Sequence, residues 1–378
     1  MRNRDRFRGC LVGGAIGDAL GYAVEFHSED RIHSEFGPAG ITRYKLRNGL
    51  ALFSDDTQMT LFTATGLLYE AAKASEPRMP GGSCFLDRAY LDWYLTQTKF
   101  YPVRDEQAHA SWLINVEPLF IRRAPGNTCM SALAAGAKGT IEHPVNDSKG
   151  CGGVMRVAPI GLYYIDKPDW QIEDIDMVGA QAAAITHGHE LGYIPAAALV
   201  HIVYLLASGR NSDVESAVLD CLETMPKLFP KSRYMELFRE IIGLAVRLAH
   251  DDMDDLSAIR KLGGGWVAEE TLAIAVYCAI KYSSDFEKAI IVSVNHSGDS
   301  DSTGAVTGNI LGALLGYEAL PECFTRDLEL CDLIVEVADD LFADCPKGSG
   351  RTDWEQKYEA LSYGTKYNWK DEMGGRHG

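Results

Sequence analysis

The chain has 378 residues, of which 46% are hydrophobic and 24% are charged, so it can bury a large core in one or more domains. Its formal net charge of -17 argues against non-specific binding to nucleic acid or to anionic membranes, because both attract a basic protein face. Nine dispersed cysteines without a C-x-x-C pair favour a reduced compartment, and we expect a cytoplasmic protein.

Helical periodicity is the main pattern along the chain. Apolar and small residues recur at helical spacing in five segments and predict helices over 56–74, 173–186, 194–207, 266–282 and 302–315. The segment 41–46 is the only modest strand candidate, so we predict an all-α protein. No run reaches the roughly 18 uninterrupted apolar residues of a membrane helix, and we predict no membrane insertion. No stretch has the composition of an interdomain linker, which favours one compact domain.

Glycine falls at four-residue steps near both ends of the chain. The two sets are Gly9, Gly13, Gly17 and Gly21, and Gly304, Gly308, Gly312 and Gly316. Each glycine in a helix is less favourable than alanine by roughly 1 kcal/mol. Close helix packing in the core is the compensation that we expect for these stripes.

Two clusters of acids and hydroxyls flank predicted helices, Ser54-Asp55-Asp56-Thr57 and the segment 298–303. Each has a structural interpretation, because a capping side chain followed by acids in the first turn stabilises a helix N-terminus. Carboxylates and hydroxyls grouped this closely are also the hard oxygen ligands that Mg²⁺ or Mn²⁺ prefers. The occurrence of two such clusters favours a metal site built from both halves.

Further polar residues leave alternatives open. Asp18 and Glu25 would project from the same side of a continuous helix, where either could join a metal shell, although Glu25 could equally be solvated. His187 and His189 fit a polar contact or a helix C-terminus better than a zinc site, which would require further ligands. Cys151 has no base visible in the sequence that would make it a nucleophile.

The segment 149–156 is a glycine-rich turn that leads into an apolar stretch. Its free amides could hold a pyrophosphate, although an ordinary tight loop explains the spacing at least as well. It matches neither a P-loop nor a dinucleotide fingerprint.

Together, the segments 9–21, 54–57, 150–159, 186–187 and 298–304 resemble the ADP-ribosylglycohydrolase family, in the right order and across nearly the whole chain. The resemblance implies a compact multi-helix orthogonal bundle with a single domain over residues 1–378. It also implies a hydrolase with a binuclear centre of two Mg²⁺ or Mn²⁺ ions, which removes ADP-ribose from an ADP-ribosylated protein, most often from arginine, and releases free ADP-ribose.

The same resemblance assigns roles by position. The implied metal ligands are Ser54, Asp55, Asp56, Asp299, Asp301 and Ser302. The implied catalytic residues are Glu25, Asp55 and Asp56. The implied substrate-binding residues are Gly150, Cys151, Gly152, Gly153, Val154, Met155 and His187. The two serines stand where many relatives have threonine, so the hydroxyl is kept, and the segment 122–128 also looks like a border of the pocket.

Three other functions stay open at this point. A non-catalytic ADP-ribose-binding protein is disfavoured, because the carboxylates are intact at every matched ligand position. A hydrolase of serine-linked or other ADP-ribosyl compounds would need a different pocket rim. An immunity or regulatory protein that blocks its target would need a target-shaped insertion, and we identify none.

Overall fold

The computed structural model describes residues 2–73, 86–104, 109–344, 354, 357 and 358. Within these residues the chain forms sixteen α-helices: α1 Arg4–Gly21, α2 Glu29–Phe36, α3 Asp55–Lys73, α4 Leu86–Thr98, α5 Asn127–Ala134, α6 Ala158–Tyr163, α7 Ile172–Ala184, α8 Glu190–Ser208, α9 Val214–Leu228, α10 Met235–Ala249, α11 Asp255–Leu262, α12 Ala268–Lys281, α13 Phe286–Val294, α14 Ser300–Leu315, α15 Glu322–Thr325 and α16 Cys331–Ala343. Four short 3-10 helices lie at Trp112–Asn115, Glu117–Phe120, Cys151–Gly153 and Tyr317–Ala319.

The all-α prediction is confirmed, because the described residues contain isolated β-bridges but no strand. All five predicted helices are present, as α3, α7, α8, α12 and α14, with ends that differ by a few residues from the predicted ones.

The modest strand candidate at 41–46 does not form a strand. The backbone N–H of Ile41 donates to Asn295 Oδ1 at 2.7 Å, and Asn295 Nδ2 donates to the Ile41 carbonyl at 2.8 Å. A side-chain amide therefore satisfies the backbone groups that a neighbouring strand would otherwise satisfy. The apolar residues of this segment anchor a loop to the end of α13.

The two glycine stripes pack against each other. In α1 and α14 the glycines meet in antiparallel order, with Gly9 facing Gly312, Gly13 facing Gly308 and Gly17 facing Gly304. A β-carbon added to Gly13 would lie 2.5 Å from the carbonyl oxygen of Gly308, closer than real side chains approach. The backbones of the two helices are thus in direct contact. This contact brings the end of α1 and the start of α14 to the same place.

A long apolar helix lies in the core. Helix α8 is the one helix among the described residues that is long and apolar enough to cross a membrane, with a mean hydropathy of 1.7, but 94% of that window is buried inside the protein. It packs against α7, α6 and α9, as a core helix does. The main hydrophobic cluster extends from Phe7 in α1 to Tyr358 near the end of the chain.

Candidate functional site

Three helix ends converge where α1 stops. The Asp18 carboxylate, fully buried in the last turn of α1, accepts hydrogen bonds from Ser54 N at 2.8 Å, Thr57 N at 2.9 Å and Thr57 Oγ1 at 2.5 Å. Ser54 directly precedes α3 and Thr57 lies in its first turn, where N–H groups lack partners within the helix. Asp18 therefore fixes the start of α3 against α1, and its carboxylate oxygens are already used.

The two acidic clusters meet at this point. Ser302 Oγ in the first turn of α14 donates to Asp56 Oδ2 in the first turn of α3 at 2.8 Å. Asp299 is the N-cap of α14, and its side chain accepts from Ser302 N. Ser54 has the same position before α3, where its Oγ accepts from Asp56 N at 3.2 Å. Both clusters therefore cap helices, although the cap of α14 is Asp299 and not Ser300 or Asp301 as the sequence suggested. This arrangement places the remaining carboxylates of the two clusters side by side.

Glu25 completes a group of three carboxylates. Helix α1 ends at Gly21, so Glu25 lies in the turn that follows it and not on a continuous helix with Asp18. One oxygen each of Glu25, Asp299 and Asp301 lies within 4.8 Å of the other two. Glu25 is 7% exposed, and its buried Oε2 has no hydrogen-bond partner in the part of the chain that the structure describes. An orphaned buried oxygen beside two further carboxylates fits a divalent cation with hard oxygen ligands.

The electrostatics of these acids agree with a cation site. Burial, followed by the charge of Asp301, raises the pKa of Asp55, of Asp56 and of Asp299 well above the usual range. Burial, followed by the charges of Asp301 and Asp299, raises the pKa of Glu25 to about 11. Carboxylates held this close disfavour one another's ionised form. Bound cations would reverse that penalty.

These residues line a pocket of about 370 Å³. Its wall is formed by Glu25, Phe26, Asp55, Asp56, Ala124, Pro125, Gly126, Asn127, Thr128, Cys129, Gly150, Cys151, Gly152, Met155, His187, Trp266, Asp299, Asp301 and Ser302. Among these described residues there are five carboxylates and no lysine or arginine. Of the predicted site residues, Ser54, Gly153 and Val154 are buried close by in sequence but do not form part of this wall.

A profile of the ADP-ribosylglycohydrolase family matches residues 1–350. The chain belongs to this family. ADP-ribosylhydrolase ARH3 of Mus musculus is 25% identical to it over 362 residues, which cover 87% of this chain and 88% of ARH3. ADP-ribosylarginine hydrolase Tri1 of Pseudomonas putida is 24% identical over 371 residues, which cover 96% of this chain and 82% of Tri1. Membership of the family supports a glycohydrolase activity.

A solved structure supports the fold. A chain of an ADP-ribosylglycohydrolase-related protein complex superimposes with a TM-score of 0.57 and 24% identity, and the match covers 90% of this chain and 97% of that one. The all-helical architecture described above is therefore that of an ADP-ribosylglycohydrolase.

The glycine loop of this family member is more occupied than predicted. Gly150 N donates to Ser148 Oγ, Cys151 N donates to the Trp266 carbonyl, and the amides of Val154 and Met155 donate to the Cys151 carbonyl. Four of the amides predicted to hold a pyrophosphate are thus engaged within the protein. Of the loop residues in the pocket wall, this leaves Gly152 as the one whose backbone amide is not engaged by these bonds.

His187 packs against this loop. A β-carbon on Gly152 would lie 2.9 Å from His187 Cε1, so the ring touches the loop closely. Burial, followed by the charge of Arg156, lowers the pKa of His187 to about 3, which keeps the imidazole neutral. Its Nδ1 lies 2.8 Å from Thr186 Oγ1. A neutral ring in the wall suits a polar contact to a ligand.

The other two candidates have structural partners. His189 caps the start of α8, where its Nδ1 accepts from Leu191 N at 3.0 Å, so neither the predicted ligand contact nor the predicted interaction with a helix C-terminus describes it. The Cys151 thiol donates to Asp299 Oδ2 at 2.8 Å, and burial together with the charge of Asp299 raises the pKa of this thiol well above its usual value. A protonated thiol of this kind is a poor nucleophile.

Sequence reasoning missed two parts of the pocket. The first is the start of α5, whose first-turn amides at Asn127, Thr128 and Cys129 precede the first hydrogen bond within the helix, from Met130 N to the Gly126 carbonyl. The second is a pair of aromatic side chains, Phe26 and Trp266, on the pocket wall. Neither has a local sequence motif. Only the border role of 122–128 was predicted, and its second half does line the pocket.

Proposed function

We propose that this protein hydrolyses the N-glycosidic bond between ADP-ribose and an arginine side chain of a modified protein, with two Mg²⁺ or Mn²⁺ ions as cofactors. The observation that carries the proposal is the pocket in which five carboxylates from α3, α14 and the turn after α1 converge without a basic residue in the described wall. An anionic substrate enters such a pocket only if cations neutralise it. The name of Tri1, an ADP-ribosylarginine hydrolase, supports the linkage.

The residues that would hold the cations are Ser54, Asp55, Asp56, Asp299, Asp301 and Ser302, with Glu25 beside them. When bound, divalent cations supply positive charge that polarises oxygen atoms and favours deprotonation of water. Two of these residues, Asp56 and Ser302, already bond to each other across the two helices, so the halves of the site are pre-assembled. Pre-organisation of this kind reduces what must be ordered when the cations bind.

Glu25, together with Asp55 or Asp56, would transfer protons during the reaction. Glu25 Oε2 has no hydrogen-bond partner among the described residues and Glu25 belongs to the pocket wall, so this oxygen can exchange a proton with water or with the leaving group. Asp55 accepts a hydrogen bond from Gly126 N, which orients its carboxylate towards the start of α5. An oxocarbenium-like transition state at the ribose would gain stability from the surrounding carboxylates.

The diphosphate of ADP-ribose needs neutral hydrogen-bond donors, because no lysine or arginine lines the described part of the pocket wall. The first turn of α5 offers backbone amides and the Asn127 and Thr128 side chains at the positive end of a helix dipole. The neutral His187 and the Gly152 backbone lie on the same pocket wall. We propose that these groups, and not the whole glycine loop, hold the diphosphate.

The test measures release of free ADP-ribose from a protein ADP-ribosylated on arginine and from one ADP-ribosylated on serine, with Mg²⁺, with Mn²⁺ and with a chelator. We expect metal-dependent release from arginine. Asp55→Asn should lower it by about 100-fold or more, because it removes a carboxylate of the pocket at nearly constant volume. Asp252→Asn is the matched control, since Asp252 is exposed and lies outside the pocket wall.

Each result has a defined meaning. Full turnover by Asp55→Asn, or release that is indifferent to the chelator, would refute the metal-carboxylate mechanism. Release from the serine-linked protein alone would support hydrolysis of an ADP-ribosyl bond but would show that the linkage is to serine and not to arginine. Tight ADP-ribose binding without release from either substrate would leave a binding protein.

We also propose a cytoplasmic location and one domain over residues 1–378. The seven cysteines within the described residues are free thiols, which agrees with a reducing compartment. Carboxylates of one pocket come from α3 near one end of the chain and from α14 near the other, which agrees with a single folding unit.

A further inference from the structure

Two aromatic side chains stand together on the pocket wall. Phe26 and Trp266 stack with ring centroids 5.8 Å apart and planes inclined by 25°. They are 68% and 46% exposed, although large aromatic side chains are usually buried. Both belong to the wall of the pocket that holds the carboxylates. An exposed aromatic pair at a pocket marks a surface that is available to a ligand.

The chain places this pair at the carboxylate end of the pocket. Phe26 directly follows Glu25, one of the three carboxylates that lie within 4.8 Å of one another. The loop that carries Trp266 is fastened to the same region, because Asp299 N donates to the Gly264 carbonyl at 2.8 Å. The rings are therefore adjacent to the place where the proposed reaction breaks the glycosidic bond.

The charge of the pocket selects the chemistry of that group. Five carboxylates line the wall, no lysine or arginine does so within the described residues, and His187 is neutral. No basic residue in this part of the wall would repel a planar cation, aromatic faces attract such cations through the ring quadrupole, and a guanidinium stacks on these faces better than other cationic side chains do. A serine oxygen is neutral and has no plane to stack.

We propose that Phe26 and Trp266 form the platform on which the guanidinium of the ADP-ribosylated arginine stacks, and that this platform determines the preference for arginine over serine. The proposal rests on the proposed function. It adds two specificity-determining residues for the leaving group, neither of which is among the residues proposed above to hold the cations or the diphosphate.

The experiment compares wild type with Trp266→Ala, Trp266→Phe and Phe26→Ala. It measures kcat/KM on arginine-linked and serine-linked ADP-ribosylated proteins, the inhibition constant of free arginine methyl ester, and the Kd of ADP-ribose by calorimetry. Phe100→Ala is the matched control, because Phe100 is 95% exposed and lies outside the pocket wall. Thermal unfolding of each variant confirms that it is folded.

A stacked cation contributes about 0.5 to 2 kcal/mol, which corresponds to roughly a 2- to 30-fold change in kcat/KM. We expect losses in that range for Trp266→Ala and Phe26→Ala on the arginine-linked substrate, through KM, with weaker inhibition by arginine methyl ester. Trp266→Phe should keep most of the activity. Serine-linked turnover, the Kd of ADP-ribose and every constant of Phe100→Ala should stay within about twofold.

Two results would overturn the proposal while leaving the proposed function intact: equal losses on both linkages, or a loss of ADP-ribose affinity as large as the loss on arginine. Wild type that releases ADP-ribose from serine but not from arginine would overturn both. The wild-type measurement thus separates failure of the proposed function from failure of the platform.

Discussion

The contact between α1 and α14 gives the most direct test of how the fold builds the site. Gly13→Ala adds one methyl group, which would lie 2.5 Å from the carbonyl oxygen of Gly308 and 3.3 Å from Phe286 Cε2. A relaxed carbon–oxygen contact is about 3.3 Å, so the helices must separate by about 0.8 Å at this point. A backbone carbonyl in a helix cannot rotate away from the methyl group as a side chain can. Overpacking of this kind lowers the free energy of unfolding by about 3 kcal/mol.

Alanine also favours the helical state by about 1 kcal/mol over glycine, so we expect a net loss of about 2 kcal/mol in the free energy of unfolding. Gly243→Ala in α10 is the matched control, because a β-carbon there meets only the end of the flexible Arg247 side chain at 3.4 Å. The same substitution should stabilise α10 by up to about 1 kcal/mol. Urea unfolding with unchanged m-values measures both. Gly13→Ala with wild-type stability or better would refute the argument.

Three further predictions concern charge. Mg²⁺ at 100 times its Kd should raise the free energy of unfolding by about 2.7 kcal/mol for each bound ion, and a chelator should reverse the effect in urea titrations. Asp301→Asn should abolish that gain, and its metal-free form should be more stable than wild type, because the charge of Asp301 raises the pKa of its acidic neighbours; a less stable metal-free variant would contradict this. Although burial opposes its charged form, hydrogen bonds with Asp176 and Asp220 raise the pKa of His201 above 6.5. The contribution of His201 to stability is therefore fully present below about pH 6.5 and is lost as pH rises through the folded pKa of this histidine. Burial also raises the pKa of Asp176 to about 6, so the window of this test begins at about pH 6. His201→Gln should lack this loss in unfolding measured from about pH 6 to about pH 9, and an unchanged pH profile would contradict the assignment.

Residues that repeat at fixed spacing were predictable from the sequence. The glycine stripes showed that two helices needed close neighbours, and the structure adds that each stripe is the neighbour of the other. Periodicity gives the face of a helix but not its partner, because many apolar faces in one chain are interchangeable at that level. The partner follows from the antiparallel match of Gly9, Gly13 and Gly17 with glycines that begin nearly 300 positions later.

Contacts between distant loops were not predictable in this way. The strand candidate at 41–46 does not form a strand. The side chain of Asn295, far away in the chain, makes the hydrogen bonds to the Ile41 backbone that a neighbouring strand would otherwise make. The amides of the glycine loop were expected to be free, yet the Trp266 carbonyl and Ser148 Oγ occupy two of them. The aromatic pair could not be predicted from the sequence, because Phe26 and Trp266 are 240 positions apart and meet only after folding.

The acidic residues of the pocket destabilise the metal-free fold that brings them together. Burial and mutual repulsion raise the pKa of Asp55, Asp56, Asp299 and Glu25, so the metal-free pocket is unfavourable when its acids are ionised. This loss of stability is compensated outside the pocket. Backbone contact along α1 and α14 holds the helix ends together regardless of the charge of the acids. Glycine stripes are suited to this task because they add packing without adding a polar group that would compete for the cations. A change in the stripe should therefore act on metal affinity and stability in the same direction, whereas loss of a pocket carboxylate should act on them in opposite directions.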